Sequence, residues 1–145
     1  MARRELTYTI ESEGRDKGKM FHLTEMPAAQ AERWAIRALM AAASSGVDVP
    51  DNALENGMAG LADIAPYAIR SLASVPFHDA EPLLDEMLTC VQIMPDPQKP
   101  QVKRSDIMGD IEEVRTLFEL RKAVFLLHVG FYETGGESTS GQPAV

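Results

Sequence analysis

The chain has 145 residues with 45% hydrophobic content, the size and apolar fraction of one packed domain. A formal charge of −8 works against attraction to phosphate backbones, which excludes a general nucleic-acid binder. Aromatic residues make up only 6%, while alanine, leucine and methionine are plentiful, so the composition favours helices over a β-sandwich.

Leu6, Tyr8 and Ile10 alternate with Thr7, Thr9 and Glu11, and Phe21 and Leu23 alternate with His22 and Thr24. This period of two predicts a β-hairpin over about residues 5–24, with the polar stretch SEGRDKG as its turn. Thr24 or the polar backbone near it is the expected cap of the helix that follows, and Pro27 suits its first turn. That helix is expected to run to about Ser45, where Ser-Ser-Gly stops it. Ala31, Trp34, Ala35, Ala38 and Ala42 recur at helical spacing, and Ile36, Leu39 and Met40 widen the apolar arc. Trp34 has two readings, a seal of the hairpin against the helix or an anchor for a partner.

Residues 47–50 read as a connector, and 51–74 as one or two short helices interrupted by Gly57, Gly60 and Pro66. Asp79 caps a further predicted helix bearing Leu83, Leu84, Met87, Leu88 and Val91. MPDPQKPQVKR, with prolines at 95, 97 and 100, reads as an extended or polyproline-like loop. Ser105 or Asp106 starts the longest predicted helix, reaching Tyr132 and spanning about 40 Å at 1.5 Å per residue. It carries one seam of Leu117, Leu120, Val124, Leu127 and Phe131, and a second of Ile107, Ile111, Val114, Phe118 and Phe125. From Ala123 to Phe131 it is apolar nearly all round and calls for cover on several sides. The fold class expected is mainly α with a small N-terminal hairpin: one compact helical domain over 1–133 with a long C-terminal helix, then a flexible tail over 134–145.

Chemistry is sparse along the chain. GRDKGKM has three residues between its glycines and Met20 after the lysine, so it fails the phosphate-cradling pattern. His22, His78 and His128 lack a second ligand at metal-binding spacing, and no nucleophile elbow occurs. The carboxylates at 79, 81, 85 and 86, and at 110, 112 and 113, fit acidic first turns of helices. A small enzyme would have to assemble its site from Asp79, Glu81, His78 or His128. Cys90 lies among apolar neighbours as a filler. Neither a secretory leader nor a membrane span is evident, and cofactor and metal are expected to be absent.

FHLTEMPAAQAERWAIRALMA, together with IEEVRTLFELRKAVFLLHVGF, resembles the tail assembly chaperones of long-tailed bacteriophages over roughly Leu6 to Tyr132. The resemblance rests on the Thr-Glu-Met-Pro-Ala lead into a Trp-containing helix and the Leu-His-Val-x-Phe close of the last one. It implies a small non-enzymatic helical protein of the host cytoplasm, absent from the mature virion. Such proteins bind the aggregation-prone tape measure protein and recruit tail tube subunits, and many also have a longer frameshifted form. Its expected binding residues here are Trp34, Leu39, Phe118, Phe125 and Phe131, and self-association through the same surface stays open. The competing expectation is a structural tail component, a completion or connector subunit retained in the virion.

Overall fold

The computed structural model describes residues 3–44, 46 and 75–134, with side chains as far as Val129. The short helices expected within 51–74, and the tail over 135–145, lie outside the described residues. The elements are β1 (Glu5–Thr9), β2 (Met20–Thr24), α1 (Ala28–Ser44), α2 (Phe77–Leu88), β3 (Val91–Met94), a 3-10 turn (Met108–Asp110) and α3 (Val114–Thr134).

The expected class, mainly α with a lone hairpin, is corrected. The hairpin is two thirds of a three-stranded antiparallel sheet in the order β1-β2-β3, and the described residues are 49% helix and 15% strand, a mixed α and β fold. Physically, an isolated hairpin is marginal in water, and β3 supplies the third strand. Val91 fits the helical spacing of Leu84 and Leu88 equally well, but α2 ends at Leu88 and Thr89-Cys90 turn the chain into a strand. The Thr89 hydroxyl and backbone N–H both donate to the Glu86 carbonyl and close that helix end.

By contact, the chain divides into two compact units: Met1–Met26 with Asp85–Leu127, and Pro27–Leu84 with His128–Val145. The first holds the sheet. Leu6 pairs with Leu23, Tyr8 with Phe21, Phe21 with Ile93 and Leu23 with Val91, so one face collects these six apolar side chains, while Met20 and Met94 pair on the other. Phe21 and Leu23 are completely buried there, each contributing roughly 1.5–3 kcal/mol of apolar burial. In the turn, Ile10 faces two residues: its N–H donates to the Lys19 carbonyl and its carbonyl accepts from Gly18. Gly18 takes a φ of +91° to allow this, a bulge that glycine adopts without steric cost.

The proline-rich segment is not extended. The Asp96 carboxylate accepts from the Gln98 N–H, Lys99 donates to the Asp96 carbonyl and Val102 to that of Lys99, giving successive tight turns. These return the chain to Ile93, where Arg104 exchanges both backbone hydrogen bonds with that residue at 2.8 and 3.0 Å. The outer edge of β3 is thereby bridged at Ile93.

In the second unit, α1 begins one residue after Pro27, whose carbonyl accepts the first helical hydrogen bond, from Ala31. Thr24 is not the expected cap; it ends β2 and donates its N–H to the Cys90 carbonyl. Trp34, Ala35 and Leu39 form the buried stripe of α1, and the Trp34 indole N–H donates to the Leu83 carbonyl at 3.0 Å. α1 stops at Ser44, within one residue of the expected end.

Candidate functional site

The longest helix starts later than its local sequence suggests. Ser105 and Asp106 do not cap it: Arg104 donates to the Asp106 carbonyl and forms a two-pronged pair with the Asp110 carboxylate. α3 begins at Val114, and the residues before it, Ile111-Glu112-Glu113, include no Ser, Thr, Asp or Asn. Orphan N–H groups at a helix start need an acceptor from elsewhere. Asp16, from the hairpin turn, is that acceptor.

Asp16 is 1% exposed. Its carboxylate accepts from the Glu112 and Glu113 backbone N–H groups at 3.0 and 2.9 Å, from the Thr116 hydroxyl at 2.6 Å and from the Lys19 ammonium at 2.8 Å. Burial alone raises the pKa of this carboxyl, but the hydrogen bonds from Lys19, Thr116 and the two amides outweigh it and hold Asp16 well below the ordinary 3.8. Around this centre, Arg15 pairs with Glu113 and donates to the Glu112 carbonyl. The Ser12 and Tyr8 hydroxyls both donate to the Glu119 carboxylate, and burial followed by that charge raises the Tyr8 pKa. The turn thus grips the first two turns of α3 from one side.

That grip sets the rotation of the helix. With Thr116 held inward, the residues at helical spacing after it, Leu120, Ala123 and Val124, are buried, and the opposite side faces out. Val114 and Phe118 are 67% and 64% exposed, Phe125 is half-buried in line with them, and Arg121 and Lys122 lie on the same side at helical spacing. Of the two expected seams, the one through Leu120 and Val124 is the core. The one through Val114, Phe118 and Phe125 is surface.

The five expected binding residues therefore part company. Trp34 and Leu39 are buried in α1, Phe118 is exposed and Phe125 half-buried on α3, and the Phe131 side chain lies outside the described residues. The residues weighed for an enzyme are likewise scattered. His78 and Asp79 form an exposed pair at the start of α2 with Glu81 exposed beside them, whereas His128 is buried in α3. Burial, followed by the charge of Glu86, pushes the Cys90 thiol up to about 11, which leaves it protonated and a poor nucleophile at neutral pH. Among the described residues no helix is long and apolar enough to cross a membrane.

Sequence reasoning missed Asp16, whose partners at the start of α3 are 96–100 residues away in the chain. The signal that could have found it is the uncapped run Ile111-Glu112-Glu113 ahead of a strong helix. Comparison with protein families, characterised proteins and solved structures finds no match.

Proposed function

We propose that this chain is a non-enzymatic tail assembly chaperone of a long-tailed phage, acting in the host cytoplasm on the tape measure protein and assisting tail tube assembly. The observation that carries the reading is the outward face of α3: Val114 and Phe118 stand in solvent on a helix whose opposite side is locked into the core. Large apolar side chains at i and i+4 on a rigid helix are what an amphipathic client helix needs as a landing surface. The exposed Lys122 on that face, in a chain of net charge −8, suits a client whose apolar seam is edged by acidic residues. The sequence resemblance supplies the identity of the client; the exposed face supplies the means of holding it.

Co-expression with the tape measure protein tests the reading. The chain should keep that client soluble and co-purify with it, and Phe118→Asp should weaken the complex at least about tenfold while circular dichroism stays unchanged. A client equally insoluble with and without the chain would sink the proposal. Mass spectrometry of purified virions provides the second arm: presence of the chain in mature particles would replace the chaperone reading with that of a retained tail component.

A further inference from the structure

The two edges of the sheet are treated differently. Hydrogen-bonded pairs between β1 and β2 fall on even-numbered β1 residues, because Glu25 donates to the Arg4 carbonyl and Ile10 donates to that of Lys19. The backbone groups of Glu5, Thr7 and Thr9 therefore point away from β2. No described residue pairs with them, and Glu5 and Thr7 are exposed. At β3 the matching outer groups of Ile93 are occupied by Arg104. Leu6 shows the consequence: it shares the core face of the sheet with Leu23 yet is 40% exposed, and among the described residues no strand lies beyond β1.

We infer that β1 pairs antiparallel with β1 of a second copy of this chain about a twofold axis at Thr7, joining two sheets into one of six strands. This goes beyond the client-binding reading and does not depend on it. Self-complementarity selects the occupant and the register. With Thr7 opposite Thr7, Glu5 faces Thr9, Leu6 lies beside Tyr8, and the exposed Arg3 comes opposite the exposed Glu11. Two identical ion pairs, two Leu–Tyr contacts and a central Thr–Thr pair result, each a favourable cross-strand combination. A slide of one pairing step either way loses the match: Arg3 then faces Thr9, or Glu5 faces Glu11. An open edge with an exposed leucine is a surface that proteins ordinarily blunt, and here β1 carries no proline or lysine to do so.

A two-strand contact is small by interface standards, so the dimer should form over roughly 10 µM to 1 mM chain, read by sedimentation velocity. Thr7→Lys sets like charges across the axis and should raise the dimer dissociation constant at least tenfold with an unchanged circular dichroism spectrum. Arg3→Glu should weaken the dimer severalfold, and adding Glu11→Arg should restore it. Under oxidation, Thr7→Cys should cross-link with itself, because directly opposed residues lie within disulfide reach, whereas Glu5→Cys should not. The wild-type chain, whose single thiol is buried, is the control. A chain that stays monomeric throughout that range, or a dimer indifferent to Thr7→Lys, overturns the proposal. Equal cross-linking through position 5 overturns the register.

Discussion

The two long helices carry their aromatic residues in opposite senses. In α1, Trp34 turns inward and gives its N–H to a backbone carbonyl; in α3, Phe118 turns outward although both flanking turns are anchored in the core. Hydrophobicity does not separate them, since each sits in an apolar stripe of helical period. What separates them is the polar partner available. The carbonyl of Leu83 satisfies an indole that could not be buried without one, while the buried carboxylate of Asp16 claims Thr116 and turns Phe118, two residues on, away from the core. Where a helix carries two apolar seams, a single satisfied polar contact decides which becomes the surface.

The sharpest break in this contrast is Trp34→Ala. Loss of a buried indole should cost roughly 3–5 kcal/mol, enough to lower the melting temperature by about ten degrees in a chain of this size. Trp34→Phe retains most of the apolar volume and should cost closer to 1 kcal/mol, for the hydrogen bond lost. If thermal melts show Trp34→Ala to be nearly neutral, the inward half of the comparison fails.

Next in size is Asp16→Asn. The amide presents its NH2 to a ring of N–H and O–H donors, so roughly 2–3 kcal/mol should be lost in urea titrations, and amide exchange at Glu112, Glu113 and Thr116 should quicken. The acid limb of stability sharpens the point. An aspartate in the unfolded chain titrates near 3.9, and in the folded chain Asp16 titrates lower, so the unfolded state takes up the proton first as acid is added. The stabilisation from this group is therefore complete above about pH 5 and is lost as pH falls through 3.9 toward the folded value. Between pH 7 and pH 3 the gap between wild type and Asp16→Asn should narrow by about 1 kcal/mol. Asp110, lowered by Arg104, tilts both proteins the same way and drops out of the difference.

The hairpin and α1 were legible because their information is local: alternation at Leu6-Tyr8-Ile10, Pro27 at the helix start, Ser-Ser-Gly at its end. β3 was not, because Val91 continues a helical spacing and the strand it begins is only four residues long. Nor was the start of α3, since its acceptor lies in the hairpin turn, where Asp16 reads as one more solvated charge between Arg15 and Lys17. The site was half legible for the same reason. Periodicity named Phe118 and Phe125 as one seam and Leu120 and Val124 as another, but which seam faces water depends on Thr116 meeting a carboxylate 100 positions earlier.

The smallest expected change in stability belongs to Phe118, and it is the most discriminating. An exposed phenylalanine held in place by its helix rather than by packing can be exchanged for aspartate within about 0.5 kcal/mol. A buried one cannot, because an unpaired carboxylate in a core is severely destabilising. Phe118→Asp should thus leave the urea midpoint nearly unmoved, while Leu120→Asp, two residues along the same helix, should unfold the chain. If Phe118→Asp is as damaging as Leu120→Asp, the helix is rotated differently in solution, and the outward face on which client binding rests does not exist. If it is silent for stability but abolishes capture of the client, the residue is there for a partner rather than for the fold.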